Sequence, residues 1–305
     1  MPKDTSARPI YICGASRTPL GAFQGAFTGL SATDLGATAI AAALVQAGLS
    51  PDQIDEALMG NVLPAGLGQA PARQAALGAG LPTSVPCTTV SKVCGSGMKA
   101  VIQAHDAIRA GSIATAVAGG MESMTNAPYL LPDHRSGARI GTSRVLDHMM
   151  IDGLEDAYDI APDGTRRSMG TFGEDCAAHY QFTRDDQDAF AVASVTRAKT
   201  AADTGAFDWE LAPVTVRHRK GDTTVSRDEG PDRIDPGKIP NLRPAFRKDG
   251  TITAASASSI NDGAAALVIA SADAAEAQGL TPLARIEGHA AFAGPPGWFT
   301  TAPVY

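Results

Sequence analysis

The chain has 305 residues, 44% of them hydrophobic, and a formal net charge of −7; such a length can bury a substantial core and suggests about two domains of roughly 100–200 residues each. An acidic balance without a basic stripe argues against nucleic acid as a partner, because that binding rests on Lys and Arg neutralising phosphates. No apolar run approaches the roughly 18–20 residues of a spanning helix, and the opening MPKDTSARPI has neither a signal-peptide core nor an Arg-rich amphipathic pattern. The sequence therefore reads as cytoplasmic, with no membrane partner.

In chain order, short apolar runs alternate with helical ones, the pattern of an α/β fold. PIYICGA (9–15) predicts a strand, and 33–48 predicts a helix capped near Thr33 or Asp34 and ended by Gly48. Ser50-Pro51-Asp52 starts a short helix. A strand near ALMGNVL, a helix around PARQAALGA, a strand over CTTVSKV, a helix from Gly95 to Ala110 and the strand TAVAGG follow. After Glu122 the character shifts. Residues 126–182 are rich in Pro, Gly, Asp and Arg and read as an irregular inserted excursion. Thr183, with Asp186 three residues on, predicts a capped helix start, and that helix runs to about Ala202. PVTVRHRK and TTVSRD flank Gly221-Asp222 as a hairpin. Regular α/β pattern is expected to return at GTITAASAS, with AAALVIAS a buried strand, ADAAEAQGL a helix and PLARIEGHAAF a final strand. A lone last strand either joins the edge of the first sheet or belongs to the front of a longer protein.

The four cysteines, Cys13, Cys87, Cys94 and Cys176, show no C-x-x-C spacing and read as reduced thiols. The six histidines are scattered without ligand spacing, so no metal site is expected. Neither a phosphate-cradling G-x-x-x-x-G-K-[ST] nor a strand-linked G-x-G-x-x-G occurs, so a resident nucleotide cofactor has no support.

SKVCGSGMKA (91–100) places Cys94 where a strand ends and a helix begins. On the residues alone, Cys94 is either a buried thiol beside turn-forming glycines or a presented nucleophile. A helix starting just after it would favour the thiolate. Gly95 and Gly97 would let a thioester approach, an oxyanion could reach the Cys94 N–H, and Ser96 could hydrogen-bond locally. Met98, Val101, Ile102 and Ile108 fall on one helical face and are expected to bury it.

VSKVCGSGMKA resembles the nucleophile segment of the thiolases, the acetyl-CoA acetyltransferases. Further blocks resemble that family in the same order: SRTPLGAFQG, GNVLPAGLGQAPARQAA, AGGMESMTNAPY, DHMMIDGLEDAY, MGTFGEDCA, LRPAF and SSINDGAAALV, the match running from about Ile10 to Pro303. The resemblance implies a layered αβαβα fold, here its first β-α half plus an inserted loop domain, with the second half only begun. On that template residues 1–125 and 251–281 form the N-terminal domain, 126–250 the loop domain covering coenzyme A, and 282–305 the start of the C-terminal domain.

The same resemblance implies thiolytic cleavage of acetoacetyl-CoA and its reverse, the condensation of two acetyl-CoA, through an acetylated Cys94. It places Leu154, Met169, Phe246, Ala254 and Ser258 at the pantetheine or adenine pocket, and Arg233 toward the nucleotide phosphates. Coenzyme A and acetyl-CoA are substrates in this reading, no group is bound permanently, and a homo-oligomer, dimer or tetramer, is implied. His148 and His289 occupy no catalytic motif of the family and read as structural. The family's N-E-A-F, G-H-P and C-x-G segments occur nowhere in the 305 residues, so the general base and parts of both oxyanion holes are missing, and the sequence reads as lacking its last quarter. Ser91 and the 299–303 segment FTTAP also depart from common family patterns and leave the acyl chain-length preference open. A broad-range 3-ketoacyl-CoA thiolase and a non-catalytic acyl-CoA-binding relative stand as the alternatives.

Overall fold

A computed structural model describes residues 9–305; residues 1–8, on which most of the expectation of no signal segment rests, lie outside the described residues. The chain runs through β1 (Ile10–Arg17), β2 (Gly21–Ala22), α1 (Ala32–Ala47), β3 (Glu56–Gly60), α2 (Pro71–Gly78), β4 (Cys87–Val90), α3 (Ser96–Arg109) and β5 (Thr115–Ser123). Next come β6 (Tyr129–Leu130), β7 (Leu146–Asp147), β8 (Glu155–Ile160), β9 (Arg166–Ser168), α4 (Met169–Tyr180) and α5 (Arg184–Asp203). Last are β10 (Val214–Val216), β11 (Thr223–Val225), α6 (Gly230–Arg233), β12 (Asn261–Ser271), α7 (Ala272–Ala277) and β13 (Ala284–Arg285).

Two compact units divide these elements. The first takes in the described residues up to Ala127, then Phe207–Asp228 and Asn261–His289; the second takes in Pro128–Ala206, Glu229–Ile260 and Ala290–Tyr305.

In the first unit the strands form one mixed sheet in the order β13-β1-β12-β5-β3-β4, with β2 paired to β12. The β3 strand runs parallel to β4 and β5, whereas β12 is antiparallel to both β1 and β5. Alternation along the strands fills both faces. Ala57 and Met59 of β3, Val117 and Met121 of β5, and Ala266 and Val268 of β12 join one core with α1, α2 and α7. Leu58, Ala116, Ala118 and Ile269, from the positions between, join the opposite core with Ala100, Ala104 and Ile108 of α3. Helices therefore cover both faces of a central mixed sheet, the α/β class expected. Phe27, Leu35, Ile40 and Met59 are fully buried, each contributing about 1.5–3 kcal/mol by the area removed from water.

Helix α1 begins earlier than the sequence reading places it. Ser31 is the N-cap, and Asp34 is the acidic partner of a capping box: the Asp34 N–H donates to Ser31 Oγ at 3.2 Å and the Ser31 N–H to Asp34 Oδ2 at 2.9 Å. Gly48 ends the helix at φ 70°, as expected. The hairpin forms as β10 and β11, and Arg17 ties the ends of its segment to β1: its guanidinium holds Asp228 at 2.7 and 3.0 Å and Glu210 at 2.6 Å. Burial works against that charge, but the two carboxylates outweigh it and hold Arg17 more firmly protonated than usual.

Three expectations fail in instructive ways. The final strand shrinks to Ala284–Arg285 and pairs antiparallel with β1 at the sheet edge, where the Leu283 N–H donates to the Ile12 carbonyl at 2.8 Å and the Ile286 N–H to the Ile10 carbonyl at 3.0 Å. No strand persists over 286–295. Residues 126–182 are not irregular throughout, because α4 lies within them; Gly170 and Gly173 lower its intrinsic helix signal. GTITAASAS is not regular: 251–260 is a loop that carries one isolated bridge, between Pro244 and Thr253.

In the second unit, α5 starts at the predicted capping box, with the Asp186 N–H donating to Thr183 Oγ1 at 3.1 Å. Ala191 and Val195 of α5 bury Ile239, while Arg184 donates to the Leu242 carbonyl at 2.8 Å.

Candidate active site

Cys94 is exposed and lies on the turn between β4 and α3. The helix begins at Ser96 with Gly95 as its N-cap, one residue later than the sequence reading. Helix and sheet meet closely there. A Cβ on Gly60, at the end of β3, would stand 2.5 Å from the Gly97 nitrogen and 2.8 Å from the Ser96 Cβ. Only glycine lets the first turn of α3 sit on that strand.

The turn itself is strained. Val93 has φ 47°, a left-handed conformation that a β-branched side chain rarely adopts and that costs about 1–3 kcal/mol. Ser96, 3% exposed, holds it. Its hydroxyl donates to the Val93 carbonyl at 2.6 Å and accepts from the Lys92 N–H at 2.7 Å. The Gly95 N–H adds a bond to the Lys92 carbonyl at 3.0 Å. Together these bonds hold the backbone on both sides of the Cys94 thiol.

The face that α3 buries keeps Ile108 of the predicted one, with Val101 at its edge, and otherwise differs. Ser96, Ala100, Ala104 and Ile108, spaced by four, face the sheet, whereas Met98 is 73% exposed and Val101 and Ile102 are half-buried. Small residues win these positions because the glycine contacts at the N-terminus pull the helix close.

All four cysteines are free. Burial pushes the Cys13 and Cys87 thiols up, away from the reactive thiolate. Cys176 is half-buried in α4, so Cys94 is the one that solvent reaches readily.

The other six expected site residues lie in the second unit. Leu154 ends a π-helical turn over Met150–Leu154, and the next residue, Glu155, pairs with Ser168, which precedes Met169. Leu154 and Met169 thus flank one cross-strand pair. Phe246 lies over the next residue, Gly170, so tightly that a Cβ there would collide with its ring. The segment carrying Phe246 is joined to the one carrying Ala254 by the Ala245 N–H, which donates to the Ile252 carbonyl at 2.8 Å. Leu154, Met169, Phe246 and Ala254 therefore sit on neighbouring segments, the first three half-buried and Ala254 exposed. Ser258 is exposed farther along the same loop, and the exposed Arg233 ends α6, which packs on α5.

Two acidic residues of α4 organise these segments, and the sequence reading passed over both. Glu174, 5% exposed, accepts the N–H groups of Thr251 at 2.9 Å and Ile252 at 2.9 Å, which fixes the turn leading into Ala254. Asp175 accepts from Arg167 of β9 and from Arg247, both at 2.6 Å. Those two bonds outweigh its slight burial and hold its carboxyl below the usual range. His148 is buried with Nδ1 2.6 Å from Asp152.

Residues 10–273 match the N-terminal domain of thiolase. The chain is 49% identical over 304 residues to acetyl-CoA acetyltransferase 2 of Arabidopsis thaliana, a match covering 99% of this chain and 74% of that protein. It belongs to the thiolase family.

Other relatives agree. Acetyl-CoA acetyltransferase of Schizosaccharomyces pombe is 48% identical over 296 residues, covering 96% of this chain and 73% of the relative. Mitochondrial acetyl-CoA acetyltransferase of Homo sapiens is 46% identical over 300 residues, covering 98% and 68%. This thiolase chain is thus shorter than the relatives it matches. No helix among the described residues is long and apolar enough to cross a membrane.

Proposed function

We propose that this thiolase chain acts in the acetyl-CoA acetyltransferase reaction, with Cys94 as the acyl acceptor. The observation that carries the proposal is an exposed thiol on a strained turn held from below by Ser96. In the acyl-transfer step the Cys94 sulfur attacks the carbonyl carbon of an acetyl-CoA thioester. A new carbon–sulfur bond to Cys94 forms, the bond to the coenzyme A sulfur breaks, and the thiol proton ends on coenzyme A as it leaves. The N–H of Cys94 stands next to the developing oxyanion and is assigned to stabilise it.

Leu154, Met169, Phe246 and Ala254 supply the apolar clasp for pantetheine in this reading, because the fold gathers them on adjacent segments. Ser258 hydrogen-bonds a pantetheine amide, and Arg233 meets the phosphates. Coenzyme A enters and leaves as a substrate rather than as a resident group. The condensation step needs the family's histidine, asparagine and second cysteine motifs, none of which occurs in these 305 residues. The proposal further takes the protein as a cytoplasmic homo-oligomer, dimer or tetramer; four free cysteines suit a reducing compartment.

Acyl transfer from acetyl-CoA and from octanoyl-CoA, compared side by side, tests the substrate class. Acetyl transfer that exceeds octanoyl transfer supports the acetoacetyl-CoA specificity. Equal transfer from both points instead to a broad-range 3-ketoacyl-CoA enzyme, and binding of either without transfer points to a non-catalytic relative.

A further inference from the structure

The histidines are scattered in sequence, yet the fold gathers two of them around one carboxylate. His105 lies on the sheet side of α3 and is 7% exposed, with Asp106 next to it on the helix. After β13 the chain crosses this helix. Ile286 packs on the core that holds Ala104 and Ile108, and His289 follows three residues later. Its Nε2 stands 2.8 Å from Asp106 Oδ1, and His105 Nδ1 stands 3.2 Å from the same oxygen. All three residues belong to the first unit.

From this cluster we infer a binding site for a borderline divalent transition metal, zinc above all, formed by His105, Asp106 and His289. The three donor atoms lie within 4.8 Å of one another. A tetrahedral zinc about 2.0–2.1 Å from each donor sets neighbouring donors roughly 3.3 Å apart and two bound imidazole centroids about 5 Å apart. The two imidazole rings are 5.0 Å apart at their centroids and nearly perpendicular, at 86°. The Asp106 oxygen thus stands from each imidazole nitrogen about as a shared metal demands, while donors as far apart as 4.8 Å close to within about 4.2 Å, twice a zinc–nitrogen bond, by rotation of the partly exposed His289 and Asp106 side chains. Two imidazole nitrogens and one carboxylate oxygen suit zinc better than calcium or magnesium, which select all-oxygen sets. Three protein ligands leave a fourth position for water.

The metal's effect is mechanical. It staples residues 286–289 to the C-terminal half of α3, the helix that begins two residues after Cys94, across 183 residues of sequence from Asp106 to His289. Zinc bound to the folded chain and not to the unfolded one raises stability by mass action.

The test uses the untagged 305-residue chain, titrated with zinc by calorimetry and with cobalt(II) followed by visible absorption. His289→Gln and Asp106→Asn are the variants, since both side chains are partly exposed and neither is needed for the core. Loss of a supporting outer-shell group alone weakens metal sites about 10–100-fold, so each variant is expected to lose at least about tenfold in zinc affinity. The wild type is expected to take one zinc per chain, to melt at higher temperature with it, and to show cobalt bands free of thiolate charge transfer. Absence of zinc binding by the wild type, equal affinity in the variants, or cobalt bands of a cysteine ligand overturns the inference.

Discussion

Ser96 donates its hydroxyl hydrogen to the carbonyl of Val93 at 2.6 Å, and so a buried serine in the helix holds a strained valine in the turn. Cys94 is carried between them. Strain of this kind persists only where the surroundings over-determine it, and the second bond, from the Lys92 N–H to the Ser96 hydroxyl oxygen, supplies that.

Ser96→Ala removes both bonds and leaves the Lys92 N–H and the Val93 carbonyl without this partner. The expected cost is about 1–3 kcal/mol of stability, together with slower acylation of Cys94 as the turn relaxes. Urea unfolding measures the first and the rate of acetyl transfer the second. Unchanged values for both would show that the turn does not depend on Ser96.

Thiol accessibility separates the four cysteines. Cys94 is expected to react with an alkylating reagent before the others, because burial raises the Cys13 and Cys87 thiols and Cys176 is half-covered. Peptide mapping after brief alkylation should find the label on Cys94. Label appearing first on Cys13 would contradict the burial described for β1.

Glu174→Ala strips the partner from the N–H groups of Thr251 and Ile252. The expected loss is about 2 kcal/mol, the lower end for two deserted groups at about 1–3 kcal/mol each, because Thr251 and Ile252 are half-buried and water reaches them in part. Coenzyme A affinity should fall with it, because the turn before Ala254 loosens. Calorimetric binding of coenzyme A to variant and parent checks this, and equal affinities would detach Ala254 from the proposed clasp.

Much of the architecture was legible in the sequence because periodicity reports which face of an element is covered. The strands over 10–17, 56–60 and 115–123 and the capping box at Thr183 all reflect local rules. Cys94 stood out through its setting among small residues. Val93 did not, since nothing in a valine's identity announces a left-handed backbone. Glu174 and Asp175 were equally silent: their partners, Thr251 and Arg247, lie more than seventy residues away. Met98 misled for a related reason. Helical spacing identifies a possible face, but the close contact of Gly97 with Gly60 decides which face the sheet receives.

Asp175 should shape the acid limb of stability. Arg167 and then Arg247 depress its folded pKa, so its contribution is complete above the ordinary aspartate value of about 3.9 and is lost as pH falls through the lower folded value. The side chain is 38% exposed, so solvent screens the effect. Asp175→Asn should therefore be modestly less stable at neutral pH and lose less on acidification below pH of about 4. Parallel acid-denaturation curves for the two proteins would contradict the assignment.

The most direct test of the central claim is intact mass and peptide mapping after incubating the 305-residue chain with acetyl-CoA, beside a Cys94→Ala control. One acetyl group on Cys94, absent from the control and accompanied by an equal amount of free coenzyme A, is the predicted result. Acetyl-CoA bound without transfer, or acetyl found on another residue, would contradict the role given to Cys94.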